Sequence, residues 1–250
     1  MQTPYSHAEV LAIEHAAARA WPPGQSETVD GWLVRTSGGS GRRANSVLPL
    51  AFTGHDTDAA IEIVEALYRA RGLRCYFQVS SHSAPIGLDA LLATRGYTYE
   101  EPTLLMAKRL AATRMPEGVE ILAEPSAEWM AIYTAPLQGQ RAAEVPAILT
   151  RVPAPRALFL VRREGVSLAT ALAVLSPDGT VMVECVATLS ARRRTGAAGI
   201  AMDALEAWAA ERGATTAALQ VVASNAPARA LYDGRDYEIA SRYHYRWKQV

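Results

Sequence analysis

Residues 183–205 read VECVATLSARRRTGAAGIAMDAL. An apolar run typical of a strand leads into a basic loop with a glycine, and an apolar helical pattern follows. Such a turn directs free backbone N–H groups and the positive end of a helix dipole toward one point, where a pyrophosphate binds. Gly196 and Ala198 are small enough to let phosphates approach the backbone, and residues 192–194 are three arginines. A solvated basic turn before an amphipathic helix is the alternative interpretation.

A second motif lies downstream, after an apolar run that predicts a buried strand. Residues 225–232 read NAPARALY and precede a terminal aromatic strand. With RRTGAA at 193–198, this motif makes the second half resemble the GNAT acetyltransferases. Their pyrophosphate loop reads Arg/Gln-x-x-Gly-x-Gly/Ala, and their later helix reads Asn-x-x-Ala-x-x-Leu-Tyr. The resemblance implies a GNAT fold that binds acetyl-coenzyme A and transfers its acetyl group to an amine.

The resemblance also implies roles for individual residues. Backbone groups on the strand before the loop would pair with the pantetheine arm, and amides of the loop would hold the pyrophosphate. Asn225 would bind the cofactor or fix the end of a splayed strand, and Tyr232 would protonate the departing thiolate. A tyrosine that only packs in the core is the alternative for Tyr232. The cofactor-binding residues implied are Val186, Ala187, Thr188, Arg193, Arg194, Thr195, Gly196, Ala197, Ala198, Asn225 and Ala228.

Glu184 is the candidate general base, because an amine must lose a proton when it attacks the thioester. It stands in an otherwise apolar strand, where burial without a partner would be costly and would raise its pKa. Alternation predicts that Met182, Glu184, Val186 and Thr188 share one face. A structural salt bridge or simple exposure of Glu184 are the alternatives.

One position departs from the GNAT pattern. The helix that carries the tyrosine is usually followed by Gly-Phe, whereas here it is followed by Asp236-Tyr237, with the glycine displaced to Gly234. This difference puts the detailed placement of Tyr232 in doubt.

The two halves of the chain echo each other. FQV at 77–79 and SAP at 83–85 match LQV at 219–221 and NAP at 225–227 at one constant offset, and an aromatic strand follows each. The first half lacks the phosphate loop, and Ser83 stands in the place of Asn225. We therefore predict a degenerate, cofactor-free GNAT-like domain at 1–112 and an acetyl-CoA-binding GNAT domain at 113–250, joined near 111–118. Arg43 and Asn45 either reach a substrate or brace the hairpin and the domain interface.

Hydrophobic periodicity and turn residues predict an α/β chain of the α+β type: a tandem GNAT fold with mixed, mostly antiparallel sheets flanked by helices. The predicted helices are 8–21, 58–71, 85–92, 126–137, 146–152, 196–212 and 226–233. The predicted strands are 31–35, 44–50, 74–79, 97–108, 119–122, 158–163, 167–176, 180–189, 217–222 and 239–247.

Composition limits the possible partners. Twenty-five basic residues balance 25 acidic ones among 250, so no overall field recruits nucleic acid or a membrane. Cys75 and Cys185 lack metal-ligand spacing, and no apolar run is long enough to span a bilayer. We expect a cytoplasmic monomer or homodimer with acetyl-CoA as co-substrate, no metal, and a small-molecule or peptide amine as acceptor.

Other functions remain open at this level. The same fold would serve another acyl-CoA donor, or peptidyl transfer from a charged tRNA, although the neutral overall charge disfavours the tRNA. A non-catalytic module that senses acyl-CoA is the alternative from another class.

Overall fold

A computed structural model describes residues 4–137 and 139–250, apart from the side chain of Glu101. The first three residues of the predicted N-terminal domain and Gln138 of the second therefore lie outside the described residues. The helices are α1 (His7–Ala20), α2 (Thr57–Ala70), α3 (Leu88–Thr94), α4 (Ala127–Thr134), α5 (Gln140–Leu149), α6 (Ala197–Glu211) and α7 (Ala226–Asp233). The strands are β1 (Gln25–Val29), β2 (Trp32–Thr36), β3 (Val47–Leu48), β4 (Cys75–Ser80), β5 (Thr98–Arg109), β6 (Val119–Leu122), β7 (Arg156–Arg163), β8 (Val166–Leu175), β9 (Thr180–Thr188), β10 (Thr216–Val222) and β11 (Glu238–Lys248).

These strands form one continuous sheet in the order β1-β2-β3-β4-β11-β5-β10-β9-β8-β7-β6. Only the pairs β3–β4 and β9–β10 are parallel. The predicted mixed, mostly antiparallel architecture is confirmed, and the sheets of the two halves are joined. Where the two halves meet, their last strands are exchanged. Strand β11 of the second half lies between β4 and β5 of the first half, and β5 of the first half pairs with β10 of the second.

The exchange is reinforced by two equivalent ion triads. The chain has only two lysines, Lys108 near the end of β5 and Lys248 at the end of β11. Lys108 Nζ lies 2.8 Å from Glu206 of α6, and Lys248 Nζ lies 3.1 Å from Glu65 of α2. A tyrosine hydroxyl completes each triad, from Tyr237 to Glu206 and from Tyr97 to Glu65, both at 3.1 Å. Each lysine thus crosses from one half to a buried carboxylate of the other.

Three apolar clusters fill the layers on the sheet. In the second half, α6 covers one face with Met202, Leu205 and Trp208. Helices α4 and α5 cover the opposite face together with α1 from the first half, because hydrophobic residues of all three share one cluster. The third cluster packs α2 and α3 on the first half of the sheet. Helix α1 is therefore part of the core of the second half.

Most predicted elements are confirmed to within a few residues, with four differences. Strand β1 was missed, although Asp30 and Gly31, with φ of 46° and 89°, form the tight turn that joins it to β2. The strand predicted at 44–50 is only Val47–Leu48, because 42–44 form a 3₁₀ turn. Helix α3 begins at Leu88 rather than at Pro85. Helix α5 begins at Gln140, so Pro146 lies inside it rather than at its start.

Candidate active site

The loop before α6 is open to solvent, as its composition predicts. Residues 190–196 are exposed, and Gly196 starts the helix in the left-handed region with φ of 81° and no side-chain cap. Arg194, with φ of 65°, adopts the same region. Among the described residues, no carbonyl or side chain accepts from the amides of 193–199, and no acidic group pairs with Arg192, Arg193 or Arg194. The loop therefore presents bare donors and uncompensated positive charge.

The strand that leads into this loop separates from its parallel neighbour. Strands β9 and β10 pair only from Thr180 to Met182 on β9, opposite Thr216 to Ala218 on β10. Beyond this point β9 continues to pair with β8, where Ala187 and Thr188 lie opposite Thr170 and Ala169. The edge of Val186, Ala187 and Thr188 that faces β10 has no ladder partner within the described residues. An extended chain that carries amides fits this gap.

A β-bulge at Cys185 changes which side chains face which side. Cys185 has φ of 53°, and the register against β8 slips between Thr170 and Leu172. Met182 packs in the cluster under α1, whereas Val186 packs in the cluster under α6. The prediction that Met182, Glu184, Val186 and Thr188 share a face is therefore wrong, because strict alternation ends where the extra residue is inserted.

Glu184 is buried and has a partner. Its two carboxylate oxygens accept from Arg43 Nη1 and Nη2 at 2.8 and 2.6 Å, so Glu184 forms a salt bridge and is not buried without a partner. Burial opposes the charge of Arg43, but the Glu184 carboxylate outweighs it and raises the pKa of the guanidinium. Arg43 also reaches Ala17 O at 3.4 Å and lies 5.6 Å from the centre of the Trp21 ring. The first half thus supplies a cation to the second half's site.

Tyr232 lies on α7, is 7% exposed, and packs in the cluster under α6. Burial, with the charge of Glu184 as the second cause, raises the pKa of Tyr232 to about 12. The phenol therefore stays protonated at neutral pH.

The departure at Asp236 leaves the geometry of α7 intact. Asp236 has φ of 63°, the left-handed conformation that Gly96 adopts at the equivalent place in the first half. Tyr237 N donates to Tyr232 O just as Tyr97 N donates to Leu92 O. Asp236 therefore adopts the turn conformation that Gly96 adopts in the first half. Leu92 is the first half's counterpart of Tyr232.

Asn225 stands exposed at the start of α7, and its side chain caps the helix by accepting from Ala228 N at 3.3 Å. Ala228 is half-buried against the cluster under α6. Capping fixes the chain direction where β10 ends, which is one of the two roles that the resemblance implies for Asn225.

Sequence reasoning did not identify the buried polar groups beside Arg43. Glu14 of α1 is 1% exposed; its Oε2 accepts from Gln78 at 3.2 Å, while its Oε1 has no partner among the described residues. Arg35 binds Gln78 Oε1 at 2.9 Å and Ser46 Oγ at 2.8 Å. Burial raises the pKa of Glu14 to about 7, against the opposing charges of Arg35 and Arg43. A glutamate inside the alanine-rich pattern of α1 was the available signal.

Two general features complete the description. Within 4–137 and 139–250, no three His, Cys, Asp or Glu side chains are grouped so as to hold a metal ion. No helix in that part of the chain has the length and apolar character needed to cross a membrane.

Sequence comparisons identify a matching family and related proteins. The profile of the family described as "Probable histone acetyltransferase Rv0428c C-terminal" matches residues 7–248. A relative named "Probable histone acetyltransferase Rv0428c", from Mycobacterium tuberculosis, is 31% identical over 228 residues, covering 87% of this chain and 68% of the relative. The "Uncharacterized N-acetyltransferase YobR" of Bacillus subtilis is 28% identical over 251 residues, covering 96% of this chain and 99% of that protein.

Solved structures share the fold. A GCN5-related N-acetyltransferase from Kribbella flavida superposes with a TM-score of 0.69 at 20% identity, covering 98% of this chain and 95% of the other. A tandem GNAT protein from the clavulanic acid biosynthesis pathway superposes with a TM-score of 0.65 at 11% identity, covering 100% and 89%. At these identities the likeness concerns the fold alone.

Proposed function

The chain belongs to the Rv0428c C-terminal family of GNAT acetyltransferases, and we propose that it transfers the acetyl group of acetyl-CoA to a primary amine of a small molecule or peptide. The amine attacks the thioester directly, in a ternary complex. The observation that carries the proposal is the open start of α6, where the uncapped amides, the three arginines and the edge of β9 that precedes them have no partner among the described residues. A coenzyme with a diphosphate and an amide-bearing arm needs this combination.

The diphosphate and the pantetheine arm of the coenzyme would each have a matching surface. The amides of Arg193, Arg194, Thr195, Gly196, Ala197 and Ala198 would hold the diphosphate, and a Cβ added to Gly196 would meet no atom of a more distant residue within 4 Å. The free edge of Val186, Ala187 and Thr188 would pair with the pantetheine amides. Asn225 and Ala228 would bound the other side of the gap, at the start of α7. This arm would place the thioester between Glu184 and Tyr232.

The residues at this point support acyl transfer. The amine nitrogen forms a bond to the thioester carbon, and its surplus proton passes to Glu184. When the carbon–sulfur bond breaks, Tyr232 donates its phenol proton to the departing thiolate. Arg43 positions the Glu184 carboxylate and compensates its charge in buried surroundings. The first half is then a structural partner that completes the site without binding a coenzyme of its own.

Direct attack is favoured over an acyl-enzyme on a cysteine. Burial, followed by the charge of Glu184, raises the pKa of Cys185 well above its usual value. Burial raises the pKa of Cys75 to about 12. Both cysteines are buried thiols, and the thiolate is the nucleophilic form.

Replacing Tyr232 with Phe tests the proposal against a non-catalytic acyl-CoA sensor. We expect kcat to fall about 100-fold, the usual contribution of a positioned general acid, while the Kd for acetyl-CoA stays within about twofold. Thiol release is measured with a panel of amines that includes a lysine peptide, and Kd is measured by calorimetry.

Tyr237→Phe is the matched control, because its hydroxyl binds Glu206 in a structural triad. It should lower stability and leave kcat nearly unchanged. Acetyl-CoA binding without turnover on any amine would favour the sensor, and the absence of binding would refute both readings.

A further inference from the structure

A glycine-rich loop in the first half already holds a carboxylate. Residues 37–41 read SGGSG, and Glu144 of α5 binds this loop through both oxygens. Ser40 N donates to Oε1, and Gly41 N donates to Oε2 at 3.2 Å. A Cβ on Gly39 would overlap the Glu144 carboxyl group, so the fit depends on glycine there. Two adjacent amides, one for each oxygen, form a concave anion receptor of the kind that backbone nests provide.

The loop is shaped for this contact by a buried asparagine. Asn45, 4% exposed, accepts from Ser37 N at 2.6 Å and donates to both Gly39 O and Gly41 O at 3.0 Å. The hairpin role considered for Asn45 is therefore what the structure shows. Three bonds from one side chain hold the loop in one conformation, so its amides are preorganised.

A cavity of about 310 Å³ lies between this loop and α5, lined by Gly24, Ser37 and Gly39 on one side and by Ala143, Glu144 and Arg151 on the other. A volume of this size suits a small-molecule group. Arg151 brings positive charge to its wall. Its buried Nε has no partner, its Nη2 makes only a 3.5 Å contact with Pro22 O, and none of the described acidic residues pairs with it. An arginine without a counter-charge in the same cavity wall as Glu144 is a second, independent sign of an anionic ligand.

The loop that bounds the cavity leads directly to Arg43 along the chain. Gly41 and Arg43 are two residues apart, so their Cα atoms are separated by at most about 7 Å. Arg43 spans from there to Glu184. The loop that would bind the molecule and the arginine that contacts Glu184 therefore belong to one short segment of the chain.

We propose that this cavity recognises a carboxylate on the acceptor amine, with Ser40 N, Gly41 N and Arg151 as donors and with Glu144 as the internal carboxylate that it displaces. The inference deepens the proposed function and rests on it for the acceptor's role. An incoming carboxylate gains the two amides that Glu144 gives up, and in addition the unpaired guanidinium. Glu144, near the start of α5 and only half-buried, can turn to solvent.

Succinate titration tests the receptor without turnover, using the amide signals of Gly38 and Gly39 in the full-length protein labelled with ¹⁵N-glycine. We expect Glu144→Ala to bind succinate about 10-fold more tightly than the unmodified protein, because an intramolecular competitor is gone. Glu144→Gln, which keeps the shape and loses the charge, should gain about threefold. Unchanged binding in both variants would overturn the proposal.

Gly41 offers a matched pair in the Glu144→Ala background. Its φ of −71° is one that proline adopts, so Gly41→Pro removes the amide donor at a φ that suits the proline ring, whereas Gly41→Ala keeps the donor. Proline should weaken succinate binding at least fivefold, and alanine should change it less than about twofold. Equal effects of the two substitutions, or tighter binding of inorganic phosphate than of succinate, would refute a carboxylate receptor.

A turnover measurement connects the receptor to the reaction. For a lysine peptide with a free C-terminal carboxylate and for its C-terminal amide, Glu144→Ala should raise the ratio of kcat/KM values about fivefold. An unchanged ratio would show that the cavity does not serve the acceptor. If no amine is acetylated by any variant, the proposed function fails, and the succinate titration still decides whether the receptor exists.

Discussion

Helices α2 and α6 begin at equivalent places in the two halves and satisfy their first amides in opposite ways. Asp56 caps α2 by accepting from Ala59 N at 3.0 Å, and Asp58 adds a second carboxylate in the first turn. Helix α6 begins at Gly196 without a side-chain cap and follows three arginines. One helix thus carries its own anion, whereas the first amides of the other have no acceptor among the described residues. The start of the helix is therefore closed by a cap in the first half and open in the second half.

The two halves also differ in the space beyond their pair of parallel strands, which is closed in the first half and open in the second. In the first half Ala84 N donates to Pro49 O at 2.7 Å, and Trp32 Nε1 donates to Ala84 O at 2.7 Å, which closes the space beyond β3 and β4. No hydrogen bond within the described residues bridges the gap beyond β9 and β10. The first half has no open gap at this place, and it supplies Arg43 to Glu184 of the second half.

Among the changes that test this comparison, giving α6 an acidic residue at its start, as α2 has, should have the largest effect. Gly196→Asp places a carboxylate at the start of α6, where it would repel the diphosphate. We expect its Kd for acetyl-CoA, measured by calorimetry, to be about 50-fold weaker than that of Gly196→Asn, which imposes the same backbone strain without the charge. The Asp variant should also unfold at a slightly higher temperature than the Asn variant. Equal affinities of the two variants would show that this helix start does not bind an anion.

Two buried carboxylates provide a second contrast. Glu184 is compensated by Arg43, whereas Glu14 has only an amide partner, and burial raises its pKa to about 7. Because this folded-state pKa lies above the unfolded value, the protonated acid favours folding at low pH. That contribution is lost as pH rises through 7.

Glu14→Gln should therefore stabilise the protein at pH 8 by about 2 kcal/mol more than it does at pH 5. The free energy of unfolding in urea, measured at both pH values, checks this. A gain that is independent of pH would mean that Glu14 does not titrate in this range.

The two lysine triads should give the smallest effect and test the symmetry of the strand exchange. Lys108→Met and Lys248→Met each leave a buried glutamate with only a tyrosine hydroxyl, so we expect each to lower the free energy of unfolding by about 1.5 kcal/mol. The loss at Lys248 should be the smaller one, since its side chain is 35% exposed against 19% for Lys108. Replacement by arginine should recover part of each loss. A large effect at only one lysine would contradict the equivalence of the two junctions.

Much of the second half was predictable because its signals are local. The motifs at 193–198 and 225–232 predicted an open loop and a short helix, and the structure has both. The repeated Gln-Val and Ala-Pro pairs predicted two related halves, and β4 and β10 occupy equivalent places on either side of the exchanged strands. These predictions rest on turn chemistry and periodicity, which operate within a few residues.

The missed features depend on contacts between distant segments. Arg43 and Glu184 are 141 positions apart, and no pattern in either segment predicts that the two residues contact each other. The bulge at Cys185 leaves no glycine or proline in the sequence to mark it, so alternation was extended through it. The tight turn at Asp30 and Gly31 was a local signal that was overlooked. The position of β11 between β4 and β5 follows from neither half alone.

The position of β11 affects both the synthesis of the chain and its cleavage by proteases. Trp247 pairs with Tyr76 across 171 residues of chain, so the middle of the sheet stays incomplete during translation until the last strand has left the ribosome. A protease that severed the connection at 111–118 would release no autonomous fragment, because each product would lack a strand that lies at the centre of its own sheet. The two halves therefore depend on each other for a complete sheet.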